Sequence, residues 1–481
     1  MHRKTIAIIG GGFCGTMVAV HLLRQTQQPV EVFLINKGYP KGKGVAYSAS
    51  SEKYLLNVHA GRMSAFPDQP AHFVEWLKTQ PAFEASSLEE IGHTFVPRQL
   101  YGQYLEAILQ ETIATHSQVF TEIHDRAIAI SSTKNLLQET YQLTLQSGSQ
   151  VEAEQVVLAL GNFKPANLRC LLAKEAESLA PSLYVSDPWQ PDTLKGLAPS
   201  STVVLLGTGL TTIDALLGLQ EQNFTGKVYA VSSNGYLPRP YLSGKANVDF
   251  GDRIAQANSL LEMVRIFNQE LKANSGQGWE EMINGIRPHT HALWQKLTLH
   301  EQRKFVARLG SLWSVVRHRL PPQVHTATQE MQQAGQLHIV AGRVQSMVPG
   351  PDKVEVTIQP RQVLPAATIL ADRILNCTGP QLRYEAVPDA LVQSLLRQEL
   401  AVPHPLHMGL QVDALGSVLR PDGSHSQSLF TLGSSRRGNL WESNAIAELR
   451  EQAFQLARHL SQPFFGYFLE NRPKTQPTAS A

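Results

Sequence analysis

The chain opens with Thr5-Ile6-Ala7-Ile8-Ile9-Gly10-Gly11-Gly12-Phe13-Cys14-Gly15, an apolar run that ends in a cluster of glycines. Gly10, Gly12 and Gly15 have the G-x-G-x-x-G spacing, which predicts a buried parallel strand, a tight turn and the start of a helix. Gly10 permits the turn, Gly12 lets a pyrophosphate approach the backbone, and Gly15 lets the helix pack closely on the strand. We expect a bound anion at the helix start, which includes Phe13 and Cys14.

The second strand, Val30 to Ile35, follows about 20 residues on, as this motif expects. The acid that usually ends this strand is replaced by Asn36, which can hydrogen-bond ribose hydroxyls without a charge. Lys37 beside it is placed to meet a phosphate or to be solvated.

The same pattern returns in Thr202-Val203-Val204-Leu205-Leu206-Gly207-Thr208-Gly209-Leu210-Thr211-Thr212-Ile213-Asp214. Gly207 and Gly209 form the turn, Leu210 opens the helix, and Thr212 takes the third glycine position. No acid ends the next strand; Ser232, Ser233 and, further on, Arg239 favour a 2′-phosphate and therefore NADP over NAD. Two such units predict two dinucleotide sites that face each other.

Further candidate cofactor contacts stand outside the two turns. Two apolar strands end at Gly161 and Gly379, where small residues let a nucleotide or another strand approach. Arg98, near a helix start, is a candidate phosphate or flavin-edge contact, with surface solvation as the alternative. Near the C-terminus the candidates are Gly433, Trp441 and Asn444, and we expect Ser443 or Asn444 to cap the last helix.

Composition excludes several classes of protein. With 481 residues, 42% hydrophobic residues and a net charge of +2, the chain has ample core and no basic field for nucleic acid. No apolar run reaches the roughly 18 residues that span a bilayer. Because a strand begins almost at once, we expect no signal peptide and a cytoplasmic protein. The three cysteines form no C-x-x-C pair and no metal-ligand spacing, so no metal site is predicted.

These patterns predict an α/β protein with two Rossmann-like dinucleotide-binding domains. They resemble the two-dinucleotide-binding flavoproteins, in which an FAD domain is interrupted by an NAD(P) domain, and this resemblance implies the first part of the FAD-binding domain at 1–165 and its last part at 366–470. The NAD(P)-binding domain is expected at 195–365, with a helical insertion at 252–333 that forms a lid or a substrate wall. Residues 473–481 read as a disordered tail.

The chain resembles the two-dinucleotide-binding flavoproteins, and more specifically the bacterial FAD–NAD(P)-binding oxidoreductase family. The blocks that carry this likeness are Gly44-Val45-Ala46-Tyr47-Ser48, Leu56-Asn57-Val58, Arg62-Met63-Ser64-Ala65-Phe66, Phe95-Val96-Pro97-Arg98 and Leu440-Trp441-Glu442. The resemblance implies FAD at Gly10, Gly12, Gly15 and the Gly433 region. It implies a nicotinamide cofactor at Gly207 and Gly209, NADPH with NADH as the alternative.

More distantly, the chain is similar to single-component flavin monooxygenases. Their Phe-x-Gly-x-x-x-His-x-x-x-Trp-like fingerprint is replaced by Leu183-Tyr184-Val185-Ser186-Asp187-Pro188-Trp189, in which only Trp189 corresponds. Three functions stay open: NAD(P)H-driven hydroxylation of a small molecule with O₂, reduction without oxygen activation, or a redox-responsive binding protein with negligible turnover. Asn57 and Arg62 are the candidates for stabilising a flavin-linked anion.

Overall fold

Three sheets organise the part of the chain that the computed structural model describes, residues 3–26, 29–49, 51–134, 139–168, 170, 180, 182–241, 248–274, 278–362 and 364–462. The expected tail at 473–481 lies outside these residues. The strands are β1 Lys4–Ile9, β2 Val30–Ile35, β3 Phe120–Ile123, β4 Ala127–Lys134, β5 Glu139–Leu145, β6 Gln150–Ala153, β7 Gln155–Leu158, β8 Tyr184–Val185, β9 Thr202–Leu206, β10 Lys227–Ser232, β11 Leu337–Pro349, β12 Val354–Pro360, β13 Ala367–Ala371, β14 Arg373–Asn376, β15 Ser417–Leu419 and β16 His425–Thr431.

Helices cover the sheets and fill the long connections between strands. They are α1 Phe13–Gln25, α2 Gly44–Tyr47, α3 His72–Lys78, α4 Leu88–Gly92, α5 Arg98–His116, α6 Leu210–Glu221, α7 Gly251–Ala255, α8 Leu260–Ala273, α9 Trp279–Ile286, α10 Thr290–Lys296, α11 Leu299–Arg308, α12 Gly310–Arg317, α13 Pro322–Gln333, α14 Ala390–Arg397, α15 Arg437–Leu440 and α16 Ile446–Leu460. Short 3₁₀ turns occur at Ala60–Arg62, Pro81–Phe83, Arg287–His289, Tyr384–Ala386 and Gly433–Arg436.

The first sheet has the strand order β15-β16-β7-β1-β2-β3, so it draws on both ends of the chain. Its neighbours pair in parallel except β15 with β16. The interior of β1 and all of β7 are buried, as the continuous apolar runs of a doubly covered parallel sheet require. Helices α1, α5 and α16 pack on one face. The three-stranded antiparallel sheet β4-β5-β6 and α14 cover the other.

The second sheet has the order β13-β12-β11-β10-β9-β14-β8. Strands β8, β14, β9, β10 and β11 run parallel, and β11, β12 and β13 form an antiparallel meander at one edge. Helices α6 and α13 share the core on one face of this sheet. Both large sheets therefore present the carboxyl ends of parallel strands, where ligands bind in open α/β sheets.

The structure moves two of the expected domain boundaries. Strands β13 and β14 lie in the second sheet, although the sequence placed everything after residue 365 in the first domain. β8 also joins the second sheet, ahead of the expected start at residue 195. The reason is that β14 runs beside β9 as the counterpart of β7 beside β1. The second domain therefore extends from about β8 to β14.

The residues expected to form a helical insertion, 252–333, hold α8 to α13 and most of α7. Their apolar side chains form a separate core that also takes in Met408 and Trp441 from the end of the chain. The insertion therefore packs against the returning part of the first domain as well as its own. No described helix is long and apolar enough to cross a membrane.

Candidate functional site

The first glycine turn is held by contacts that only glycine allows. Gly10 has a φ of +109°, and a Cβ there would lie 2.2 Å from the carbonyl oxygen of Ala159. A Cβ on Gly15 would lie 1.9 Å from the Gly10 carbonyl oxygen, so α1 can pack this closely only on glycine. A Cβ on Gly12 would meet only the Cα of Gly44, at 3.6 Å. Gly12 therefore leaves an open face at the turn.

Helix α1 begins at that open face with uncapped N–H groups. Gly12 is its N-cap and supplies no side-chain hydrogen bond, and the first turn holds no acid. Phe13 is buried, with its ring centroid 6.5 Å from that of Tyr101. Burial raises the pKa of the Cys14 thiol to about 12, so this side chain is neutral near pH 7. What this segment offers a bound anion is its backbone N–H groups.

Asn36 and Lys37, at the end of β2, both hydrogen-bond within the protein. Asn36 Oδ1 accepts a hydrogen bond from the Gly11 N–H at 3.1 Å, and Asn36 Nδ2 donates to the Tyr39 carbonyl at 3.0 Å. The amide therefore holds the glycine turn in place. Lys37 donates to Gln146 Oε1 at 2.9 Å on the exposed edge of the domain. The ribose contact of Asn36 and the phosphate contact of Lys37 stay predictions.

The second turn repeats the first with one substitution. Gly207 has a φ of +120°, and a Cβ there would lie 2.5 Å from the carbonyl oxygen of Cys377. A Cβ on Gly209, the uncapped N-cap of α6, would meet nothing within 4 Å. Thr212 stands where Gly15 stands in the first turn, and its hydroxyl donates to the Gly207 carbonyl at 2.8 Å. This turn therefore also leaves an open face, where α6 begins at Leu210.

Both turns have the same features that suit a diphosphate-bridged nucleotide. Each has one glycine with open space, a helix start without a side-chain cap and no acid in the first helical turn. A diphosphate can approach such backbone closely and interact with the helix dipole. Among the described residues no group of three or more His, Cys, Asp or Glu side chains could hold a metal ion.

The end of β10, where the coenzyme's ribose is expected to bind, also lies beside residues that the sequence did not suggest. The Ser232 hydroxyl lies 2.9 Å from that of Thr208 and accepts from the Gly235 N–H at 3.0 Å, so Ser232 belongs to the turn. Arg239 is exposed and its backbone pairs with Val315 and Leu320 instead. An open pocket of about 540 Å³ begins just after Ser232, and it is lined by Arg343 on β11 and by Arg361, which directly follows β12.

The two domains are joined at paired crossing segments. Gly161 follows β7 and Gly379 follows β14, and both have positive φ, at +65° and +91°. Just beyond them, Phe163 and Gln381 form an antiparallel bridge. The chain thus leaves the first domain and returns to it at the same place, beside both glycine turns.

Arg98 connects the two domains, and the phosphate or flavin-edge contact considered for it from the sequence stays a prediction. Its guanidinium makes two hydrogen bonds of 3.0 Å to the carboxylate of Asp214 on α6, and Nε donates to the Leu55 carbonyl at 3.1 Å. The side chains of Arg98 and Asp214 are only 10% and 12% exposed. Because Arg98 begins α5 in the first domain, this buried pair fixes the position of α6 relative to it.

The returning segment closes over the first turn. Gly433 has a φ of +80°, and a Cβ there would lie 3.2 Å from Cys14 Sγ. The Ser443 hydroxyl donates to the Gly433 carbonyl at 2.6 Å. The expected cap of the last helix is wrong: Ala445 is the N-cap and Asn444 is exposed. The start of α16 therefore carries uncapped N–H groups too.

Trp441 marks where the helical insertion meets this segment. Its φ of +61° is unusual for a bulky residue and is strained by about 1–3 kcal/mol. The indole is 6% exposed, with its centroid 5.1 Å from that of Trp294 and 5.0 Å from that of Phe305. Among the described residues its buried Nε1 has no hydrogen-bond partner. Packing against the insertion holds the strained residue in place.

An ion-pair network lies beside Trp441. Arg317 Nε is 3.0 Å from both carboxylate oxygens of Glu442, and Arg317 Nη2 is 3.3 Å from Glu448 Oε1. Trp313 Nε1 donates to Glu442 Oε1 at 2.8 Å, and Arg287 reaches Glu448 at 3.5 Å. This network ties the insertion to the first domain, and the predicted substrate wall is therefore charged as well as aromatic.

Asn57 and Arg62 both lie near Tyr241 at the domain junction. The Tyr241 hydroxyl donates to the Asn57 carbonyl at 2.9 Å. Burial raises the pKa of Tyr241, and the positive charges of Arg319, Arg287, Arg317 and Arg62 oppose that rise. Sequence reasoning missed Tyr241 because it stands in a loop without a motif. A stabilising role for Asn57 or Arg62 stays a prediction.

Comparison with known proteins agrees with this geometry. Residues 7–163 match the protein-family model described as FAD-NAD(P)-binding. No curated protein matches the sequence. Ornithine hydroxylase PvdA from Pseudomonas aeruginosa is 11% identical over 95% of this chain and 98% of its own, with a TM-score of 0.63. L-lysine 6-monooxygenase from Pseudomonas syringae is 14% identical over 95% and 99%, with a TM-score of 0.66.

A third solved structure is similar but belongs to another reaction class. Bacillithiol disulfide reductase Bdr (YpdA) from Staphylococcus aureus is 12% identical over 96% of this chain and 98% of its own, with a TM-score of 0.53. At these identities the likeness establishes the fold, and the resemblance stated from the sequence is confirmed at that level. Residues 7–163 match the FAD-NAD(P)-binding family model, and the chain as a whole shares the fold of these solved structures.

Proposed function

We propose that the protein is an FAD-dependent oxidoreductase that is reduced by NAD(P)H and hydroxylates a small molecule with O₂. The observation that carries the proposal is the pair of open glycine turns, Gly12 and Gly209, on two domains held together by the Arg98–Asp214 pair. Electron transfer between two coenzymes requires two such sites at a fixed distance and orientation. The structural similarity to ornithine and lysine hydroxylating enzymes supports the oxygen-using form.

The chain's own residues bind and orient the cofactors. Gly10, Gly12 and Gly15 hold the FAD diphosphate at the start of α1, with the Gly433 segment beside it. Gly207 and Gly209 hold the nicotinamide coenzyme at the start of α6. When bound, FAD supplies two-electron redox chemistry and, once reduced, reactivity toward O₂.

The junction supplies positioning and exclusion of water. The Arg98–Asp214 pair sets the separation of the two cofactor sites. Trp294 of the helical insertion packs against Trp441 of the returning segment, and both are almost fully buried. We propose that Asn57 and Arg62 stabilise negative charge that develops there. In support, the Asn57 carbonyl accepts a hydrogen bond from Tyr241, and the positive charge of Arg62 opposes the rise that burial causes in the pKa of Tyr241.

A matched pair of variants tests the proposal. Gly12→Ala and Gly209→Ala each add one methyl group at a φ that alanine adopts readily, −78° and −87°. The new Cβ would touch only the Gly44 Cα, at 3.6 Å, in the first variant and nothing within 4 Å in the second, so both should fold. Gly12→Ala should lose bound flavin. Gly209→Ala should keep the flavin and its visible absorbance but fail to bleach with NADPH under anaerobic conditions. If the wild-type protein is purified with flavin that NADPH and NADH both fail to bleach, the proposed reduction is wrong.

Admitting air then separates the three functions that the sequence leaves open. Because the similar structures include ornithine and lysine hydroxylases and a cadaverine monooxygenase, L-ornithine, L-lysine and cadaverine are the first substrates to try. Hydroxylated product in step with NADPH oxidation supports the proposal. Reduction of another acceptor without hydroxylated product supports the reductase, and negligible NADPH oxidation with every acceptor supports the redox-responsive binding protein.

The similarity to a disulfide reductase gives the reductase alternative a specific test. The three cysteines Cys14, Cys170 and Cys377 are free thiols, and burial raises the pKa of Cys14 and Cys377 to about 12. Neither of these two is suited to thiolate exchange at neutral pH. Reduction of a disulfide substrate should therefore be unaffected by Cys14→Ser or Cys377→Ser.

The proposal also includes a small-molecule substrate and a cytoplasmic location.

A further inference from the structure

The pocket beside the second glycine turn lies where the protein is expected to bind the adenosine ribose of the coenzyme. It begins at Ser233 and Asn234, directly after β10, about 25 residues beyond Gly207, where this motif places the residue that contacts the ribose. A hydrogen bond between Ser232 and Thr208 connects that strand end to the turn. The pocket and the turn are therefore parts of one surface at the carboxyl edge of the second sheet.

The charge of the pocket is positive. Its polar lining comprises Ser233, Asn234, Arg343, Gln345, Gln359 and Arg361. Neither an aspartate nor a glutamate is among the described residues that line it. An acid at this position would bind the ribose 2′-hydroxyl of NAD and repel a phosphate, whereas arginine accommodates the 2′-phosphate of NADP.

The two arginines are held differently. Arg361 Nη1 donates to Asn234 Oδ1 at 2.7 Å, and Asn234 Nδ2 donates in turn to Ser311 on α12 at 3.1 Å. Arg361 is therefore oriented before any ligand arrives. Arg343 is exposed and makes no hydrogen bond or ion pair with another described side chain, so its guanidinium is available to an anion. A planar guanidinium can bind two phosphate oxygens at once.

We infer that Arg343 and Arg361 form the 2′-phosphate site and make the protein selective for NADPH over NADH. The inference rests on the proposed nicotinamide coenzyme site at Gly207 and Gly209, and it names the residues that set the choice of coenzyme. Arg239, the sequence candidate, lies outside this pocket, and its backbone pairs with Val315 and Leu320. The selectivity therefore comes from strands that enter the sheet about 100 residues after β10.

The experiment compares two small probes, 2′,5′-ADP and 5′-AMP, by calorimetric titration of the flavin-loaded protein. They differ only in the 2′-phosphate that the arginines are inferred to bind. The wild type should bind 2′,5′-ADP at least about tenfold more tightly, because each charged hydrogen bond contributes that order of affinity. Arg343→Gln and Arg361→Gln should each remove much of this preference while leaving 5′-AMP binding unchanged.

Arg239→Ala is the control, since Arg239 is also exposed and carries the same charge but lies outside the pocket. It should keep the wild-type preference, and NADPH-to-NADH ratios of dissociation constants should follow the same pattern in all variants. Equal binding of the two probes by the wild type would overturn the inference while leaving the coenzyme site intact. Failure of both probes to bind would overturn the coenzyme site itself. A preference lost only in Arg239→Ala would show that Arg239, the candidate from the sequence, binds the 2′-phosphate.

Discussion

Replacing Arg98 with methionine should destabilise the protein more than removing any exposed ion-pair partner. The change keeps most of the side-chain volume but leaves the Asp214 carboxylate buried without its cation. Breaking a buried pair in this way costs about 3–5 kcal/mol. Both side chains are only 10–12% exposed and share two hydrogen bonds of 3.0 Å, so the full range applies here.

The control is Lys41→Ala, which removes an ion pair to Glu122 of 2.8 Å whose side chains are about 30% exposed. We expect this change to cost at most about 1 kcal/mol. The double variant Arg98→Met with Asp214→Leu should recover most of the loss, because no buried charge is left unpaired. Urea unfolding at neutral pH, followed by circular dichroism, measures all four proteins.

Two results would refute this reasoning. One is a loss for Arg98→Met as small as that for Lys41→Ala, and the other is a double variant no more stable than the single one. The pH dependence gives a third check. Burial raises the pKa of Asp214, and losing Arg98 should raise it further, so the penalty should shrink as acid protonates the carboxylate. NADPH-driven flavin reduction should slow in Arg98→Met even where flavin remains bound.

Three other perturbations should act through single local causes. Gly15→Ala should destabilise by about 2–3 kcal/mol, because the added Cβ would lie 1.9 Å from the Gly10 carbonyl oxygen, and thermal unfolding measures the loss. Burial lowers the pKa of His21 to about 4, so the wild type should lose about 3 kcal/mol between pH 6.5 and 4, where only the unfolded state takes up the proton; His21→Phe should flatten that part of a urea-midpoint profile. Arg317→Gln should leave flavin bound but raise protease cleavage within the helical insertion, because Glu442 loses its buried partner.

The glycine turns could be predicted from the sequence because their requirement is local. A positive φ at Gly10 or Gly207, and a carbonyl oxygen within 2.5 Å of the missing Cβ, can be met only by glycine. The spacing of these glycines is therefore enough to predict the conformation of the turn. The exchange of the third glycine for Thr212 was also readable, since a small residue fits and its hydroxyl finds the Gly207 carbonyl.

Partners that are distant in sequence could not be predicted in this way. Asp214 follows Arg98 by 116 residues, and nothing in either neighbourhood signals that the two side chains meet. Asn36 was recognised at its position, but its amide hydrogen-bonds the backbone at Gly11 and Tyr39, a local contact that has no sequence pattern. Arg343 and Arg361 became neighbours of β10 only because β11 inserts next to it after the long helical segment.

The bridge between Phe163 and Gln381 has a consequence for how such a chain is assembled. The chain enters and leaves the second domain at adjacent points, so this domain is inserted into the first through a single pair of crossing segments. Joining residue 163 to residue 381 by a short linker should leave every strand of the first sheet present and in its original order. We expect that shortened chain to be a starting point for a stand-alone flavin module, and the excised part, with its ends already adjacent, to be suited to circular permutation.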